Sequence, residues 1–258
     1  MISPESISAA KKNGFHVAMV DGGSSQAFLD TVKLSGIQIE KQKEEGGQGP
    51  ARRQGIELAQ NVPGIKVIAS VEPEKVSLIA DCIKLASEPI LKGEADIVVP
   101  RRIAKSMETY PVHQAKQEAK SNKIYNAILR SRGLLKKEDP DLDFWGGTRI
   151  FVNKPEVREL FNVKRKFEPG KTKLDQKVRM EMYSNPLFHP VVDALYKGLK
   201  VKSVDIPYIH PAKQTFFEAG NKEFDQKRDT QRRTIVTELV HLNSSERRKT
   251  KNPKRNPN

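Results

Sequence analysis

The chain has 258 residues, with 46 Lys+Arg against 32 Asp+Glu for a formal charge of +14, and one cysteine. That length can bury a substantial core, and a single cysteine excludes both an internal disulfide framework and a thiolate zinc site. No apolar run approaches a membrane span, and MISPESISAAKKNG has neither a signal-peptide apolar region nor an Arg-rich transit pattern. A cytoplasmic protein is therefore expected. The last thirteen residues, ERRKTKNPKRNPN, hold six bases and one acid, so the body without them still carries +9. Such a field favours anionic partners: nucleic acid, an acidic membrane surface or phosphorylated small molecules.

Ser3 to Lys12 reads as a short helix, broken at Gly14 before the apolar strand His16–Val20. Asp21–Ser25 is a turn into a helix with Phe28, Leu29, Val32 and Leu34 as its apolar positions. Ile37–Glu40 is a short strand. The glycine-rich stretch KEEGGQGPARR then opens a helix to about Gln60, in which Ile56 and Ala59 are candidate inward positions. Lys66–Ser70 is the next strand. Pro73 stands where a first helical residue is expected, ahead of Val76, Ile79, Cys82, Ile83 and Ala86 at helical spacing. Asp96–Pro100 is a fourth strand, and a long charged helix covers Val112–Arg132. Asp141–Phe151 (DLDFWGGTRIF) is a loop entering a strand. Helical stretches follow around Lys173–Tyr183 and Pro190–Lys197, then a strand within Lys200–Tyr208, a polar helix over Gly220–Leu242 and a basic tail.

Strands alternating with helices predict an α/β fold, a mostly parallel, Rossmann-like sheet flanked by helices with a helical C-terminal part. Residues 1–110 form its first α/β half, 111–243 the second half of the same domain, and 244–258 the basic tail.

In such sheets ligands bind at the carboxyl ends of strands. Three segments fall there. Asp21-Gly22-Gly23-Ser24-Ser25 is either a ribose- or base-binding acid with open backbone beside it, or an ordinary turn with a serine cap. Gly46-Gly47-Gln48-Gly49-Pro50-Ala51-Arg52-Arg53 presents glycines before a helix N-terminus, with arginines to face a diphosphate. It lacks the Gly-Lys-Ser/Thr ending of a Walker loop, and a flexible loop is the plainer reading. Glu72-Pro73-Glu74 supplies two hard carboxylates for a divalent cation, or two acids that complement a helix dipole.

The order Asp-Gly-Gly-Ser, Gly-x-Gly-x-Ala-Arg, acid-x-acid resembles family 2-like glycosyltransferases of the GT-A fold. The resemblance continues through ADIVVPRR (Ala95–Arg102) and DLDFWGGTRIF, and so covers about residues 8–210. It implies a nucleoside diphosphate sugar as donor, a hydroxyl acceptor, anionic given the charge, and Mn or Mg as cofactor. Its nucleotide-binding roles fall on Asp21, Gly22, Gly49 and Arg52, and its metal-binding roles on Glu72, Glu74 and His210. The acceptor segment falls on Trp145, Gly146 and Arg149, with Asp143 as the catalytic carboxylate that assists the acceptor hydroxyl. Glu-x-Glu replaces the usual Asp-x-Asp. Where inverting relatives place a Glu-Asp pair, this chain has His189 and Asp193. Lys213 and Gln214 are further diphosphate candidates. The basic run Lys227–Arg233 is a solvated helix face or an acceptor-phosphate site.

The family's opening strand, with its Pro-x-x-Asn-Glu-like ending, is not recognisable here; either another segment fills its place or the given start omits roughly twenty residues, the reading preferred. Loss of that central strand is expected to interrupt the sheet's hydrogen-bond ladder. A nucleotidyltransferase acting on a sugar phosphate is the alternative reading. A basic nucleic-acid-binding protein is the weaker one, since aromatics are few and no such binding motif is present. Assembly as a homodimer is a further expectation.

Overall fold

The computed structural model describes residues 4–44, 48–163 and 188–226, and beyond them 228–230, 232, 233, 235, 236 and 239. The helix expected around Lys173–Tyr183 and the basic tail lie outside the described residues. In chain order the elements are α1 (Pro4–Lys12), β1 (Ala18–Asp21), α2 (Gln26–Leu34), β2 (Gln38–Lys41), α3 (Gln48–Gln60) and β3 (Val67–Ser70). A π-helical turn (Leu78–Cys82) then runs into α4 (Ile83–Leu91), followed by β4 (Ile97–Arg102), the short α5 (Ala104–Met107) and α6 (Val112–Ser131). A 3-10 turn (Phe144–Gly146) leads to β5 (Arg149–Val152), α7 (Pro155–Asn162), α8 (His189–Tyr196), β6 (Val201–Ile206) and α9 (Ala212–Glu218). The described residues from 222 to 239 are helical.

Four strands form a sheet in the order β3-β5-β4-β6, in which β4 and β6 are parallel and β5 runs antiparallel to both β3 and β4. β3, β4 and β6 therefore point the same way, and their carboxyl ends share one edge with the amino end of β5. Period-two alternation assigns the faces. Ile97, Val99 and Phe151 join Tyr125, Leu129, Phe161 and Val191 on one side, while Val98 and Ile150 join Leu78, Ile79, Cys82 and Ile83 on the other. The result is a helix–sheet–helix sandwich, with the stacked Phe151–Phe161 pair at 4.0 Å inside it. Cys82 is a fully buried core residue, and burial pushes its thiol pKa up to about 11.

β1 and β2 pair in parallel as a separate two-stranded sheet. Among the described residues no strand pairing joins the two sheets, and α3 packs on both β1 and β3. No helix of the described residues is long and apolar enough to cross a membrane.

Several local expectations need correction. Leu34 is 90% exposed, so only Val32 of α2 is buried, because the small β1–β2 sheet offers that helix little to cover. Pro73 is not a first helical residue. It follows Glu72 in a turn closed by Lys75 N–H donating to the Glu72 carbonyl at 3.2 Å, which suits its fixed φ. Helices α7 and α9, absent from the sequence reading, follow Lys154 and Pro211.

Candidate active site

The shared sheet edge collects the chemistry. At the end of β3, the Glu72 carboxylate is gripped from both sides. Arg52 Nη2, reaching from α3, donates to Oε1 at 3.0 Å, and Lys75 Nζ lies 2.7 Å from Oε2. Arg52 also donates to Ser70 Oγ at 3.3 Å, and Lys75 to the Gly146 carbonyl at 3.1 Å. Burial alone would raise the Glu72 pKa, but Lys75 and then Arg52 hold it at about 2. Gly147 closes this corner at φ +72, where a Cβ would come within 2.8 Å of Lys75 Nζ. Glycine is favoured there by conformation, and a Cβ would push the Lys75 ammonium aside. Glu74 lies partly exposed on the same turn.

At the end of β4, Arg102 is the hub of a buried network. Its Nε and Nη2 donate to Asp143 at 2.6 and 2.8 Å, its backbone N–H to Asp143 at 3.3 Å, and its Nη1 to Glu118 at 2.7 Å. Asn122 Nδ2 adds a donor to Asp143 at 2.7 Å while its Oδ1 receives the Phe144 N–H at 3.0 Å. Burial opposes the Asp143 charge, but Arg102 and Asn122 bring its pKa down to about 2. Asp143 was the expected catalytic carboxylate, and this is the environment in which it sits. The carboxylate is 5% exposed and accepts from four N–H groups, which favour its charged form. Arg149, expected on the acceptor side, lies inside the loop. It is wholly buried, and it donates to the Thr148 and Phe144 carbonyls at 2.6 and 3.0 Å, so it braces the loop from within. Burial lowers its pKa to about 10.

Beyond β6, His210 is 3% exposed and stacks on Tyr110 at 4.0 Å, and the Arg102 guanidinium covers the Tyr110 ring at 4.9 Å. His210 Nε2 faces the Glu218 carboxylate at 3.4 Å. Ser77 ties this loop to the Glu72–Glu74 turn. Its hydroxyl donates to the Ile209 carbonyl at 2.8 Å and accepts from the Ile209 N–H at 3.0 Å.

The remaining predicted residues are placed as follows. Asp21 ends β1 and accepts from the N–H groups of Gly23 and Ser24, at 3.1 and 3.0 Å. Burial would raise its pKa, but these bonds leave it lowered. Gly22 follows it with open backbone, since a Cβ there would meet only the Gln42 side-chain oxygen, at 3.1 Å. Gly49 is buried in the first turn of α3, and Gly46 and Gly47 lie outside the described residues. Gly146 packs near the Pro100 carbonyl, and Arg228 covers the Trp145 ring at 5.1 Å. Gln214 bonds Glu218 at 2.8 Å, Lys213 is exposed, and His189 is buried within α8. Sequence reasoning missed Lys75, Arg102, Glu118 and Asn122 as site residues. Lys75 had a usable signal, since it sits three residues after Glu72, but the others are recognised only by their tertiary partners.

Among the described residues no three of His, Cys, Asp and Glu gather as a metal-holding group. Glu72, Glu74 and His210 carry donor atoms of the kind a divalent cation takes, but they do not gather as a ligand set. Glu72 is at present occupied by two cationic side chains.

No family model and no curated protein matches this sequence. Among solved structures, the chain is similar to glucosyl-3-phosphoglycerate synthase from Mycobacterium tuberculosis in complex with phosphoglyceric acid, at 15% identity and a TM-score of 0.54, over 92% of this chain and 74% of that one. The same enzyme in complex with Mn2+, uridine diphosphate and glucosyl-3-phosphoglycerate gives 15% identity and a TM-score of 0.53, with the same coverage. The likeness is one of fold, an α/β, GT-A-like architecture.

Proposed function

We propose that this chain transfers a sugar from a nucleoside diphosphate sugar to a hydroxyl acceptor. The observation that carries the reading is the convergence of Arg52, Glu72 and Lys75 at the end of β3, tied through Ser77 to the His210 loop. A fold shared with a structure that holds uridine diphosphate and Mn2+ supports it. In this reading Asp21, with the open backbone of Gly22, receives the nucleoside, and Arg52 beside Gly49 faces the diphosphate. Glu72, Glu74 and His210 hold Mn or Mg, which would withdraw charge from the leaving diphosphate. Arg52 and Lys75 add fixed positive charge on the same side, where it stabilises a developing anion.

Trp145 and Gly146 border the acceptor side. Asp143 acts through Arg102 as a positioning residue. It fixes the start of the 144–148 loop, and so the distance between acceptor and donor groups. An acceptor bearing a phosphate or carboxylate suits the half-buried Arg228 over Trp145 and the positive body of the chain.

The test is incubation of the full chain with uridine and guanosine diphosphate sugars, Mn2+ and a panel of phosphorylated and carboxylated hydroxyl acceptors. Acceptor-dependent release of nucleoside diphosphate is expected. Pyrophosphate release from a nucleoside triphosphate and a sugar phosphate would instead identify a nucleotidyltransferase.

A further inference from the structure

Four exposed apolar side chains sit on two segments that are bonded together where α9 meets the start of α6. Val112 is 70% exposed, Ile209 59%, Phe216 79% and Phe217 64%. Thr215 Oγ1 donates to the Thr109 carbonyl at 2.8 Å, and the His210 N–H donates to Thr109 Oγ1 at 2.9 Å, three residues before Val112. α9 is held through Thr215 and through Glu218, which faces His210, so its two phenyl rings are left to water. Single exposed apolar residues are ordinary, whereas a group of them marks an interaction surface. The charge beside this group selects its partner. Lys116, Lys120 and Lys123 recur at helical spacing along the exposed face of α6 that begins with Val112. The one acid of α6, Glu118, is buried and bonded to Arg102, so it does not offset them. Lys213 is exposed one turn before Phe217. The exposed acids nearby, Glu108 and Glu223, each have an exposed lysine close in sequence, Lys105 and Lys222, which leaves the α6 lysines and Lys213 as net positive charge.

We infer that this surface docks the protein on an acidic lipid bilayer, as a peripheral contact that does not span it. Apolar anchors next to lysines match both layers of such a surface. The phenyl rings enter the boundary of the acyl chains, and the lysine stems lie along it with their ammonium groups at the headgroup phosphates. Nucleic acid would meet the lysines but gives no role to Val112 and Ile209. The docking goes beyond the proposed transfer activity and requires neither nucleotide nor metal.

The experiment is co-sedimentation of the full chain with vesicles of mixed phosphatidylserine and phosphatidylcholine, and with vesicles of phosphatidylcholine alone, at low and high salt. Binding to the acidic vesicles is expected, weakened by salt, with little binding to the neutral ones. Phe216→Ser combined with Phe217→Ser is expected to weaken it about tenfold, because the inserted rings are gone. Lys116→Gln, Lys120→Gln and Lys123→Gln combined are expected to weaken it by about tenfold or more. Both sets of side chains are exposed, so unchanged urea melts are expected for both variants. The basic tail is the same in every protein compared, so a difference reports the α6–α9 surface. Absence of binding to acidic vesicles overturns the inference, and so does binding that either variant leaves unchanged. Binding of a single-stranded RNA probe in place of vesicles, lost with the lysines but not with the phenyl rings, assigns the face to nucleic acid and overturns it as well. None of these failures touches the transfer reading, which is tested by nucleoside diphosphate release.

Discussion

Replacing Arg102 with methionine tests the buried network most severely. The substitution preserves much of the side-chain volume but leaves two carboxylates, Asp143 and Glu118, at 5% and 3% exposure without their shared cation. Arg228, 3.5 Å from Glu118, compensates only that one. Removing one partner of a buried ion pair costs about 3–5 kcal/mol, chiefly as the penalty of the stranded charge. At this chain length that corresponds to a melting temperature lower by about 6–10 °C. The pH dependence identifies the cause. In the unaltered chain the Asp143 pKa is depressed to about 2, so its stabilisation is complete above the unfolded carboxylate value and is lost only as pH falls towards 2. In the variant burial dominates and the folded pKa rises above the unfolded one. Protonation then relieves the stranded charge, and the deficit shrinks between pH 7 and pH 4.5. Thermal and urea melts of both proteins at pH 7 and pH 4.5 read this directly. A deficit below about 1 kcal/mol, the same at both pH values, would refute the reasoning.

Other substitutions probe separate parts of the account. Gly147→Ala forces a Cβ into a left-handed backbone and against Lys75 Nζ, and is expected to cost about 1–2 kcal/mol in a urea melt and to weaken nucleotide binding. Ser77→Ala removes both bonds to Ile209. A stability loss of about 1 kcal/mol is expected, with weaker Mn2+ binding in calorimetry as the His210 loop drifts from the Glu72–Glu74 turn. Phe161→Ala empties a core position that is 1% exposed and stacked on Phe151, at a cost of about 3–5 kcal/mol by denaturant titration, with nucleotide affinity unchanged under conditions where it stays folded.

The strands were legible because they are short apolar runs between turn residues. Ile97, Val98 and Val99 are buried on both faces of the sheet and need no alternation to be recognised. The direction of β5 was not legible. Nothing local in Arg149–Val152 distinguishes a strand inserted antiparallel between β3 and β4 from one added at an edge. Helix α7 was missed although Val157, Leu160 and Phe161 mark a helical face, because Pro155 reads as a breaker when it is a first helical residue. At the site, Glu72 was visible from its motif, but its Arg52 partner lies 20 residues away and Lys75 was overlooked. Asp143 was visible as an acid in a suggestive loop. Its environment, however, is set by Arg102, 41 residues earlier, which no local pattern around Asp143 announces.

Binding of a nucleoside diphosphate tests the central claim most directly. Calorimetric titration of the full chain with uridine and guanosine diphosphates, with and without Mn2+, is expected to show saturable heat for at least one nucleotide, strengthened by the metal. Glu72→Ala combined with Glu74→Ala is expected to abolish that strengthening. No binding of either nucleotide, or binding indifferent to the paired substitution, would contradict the account.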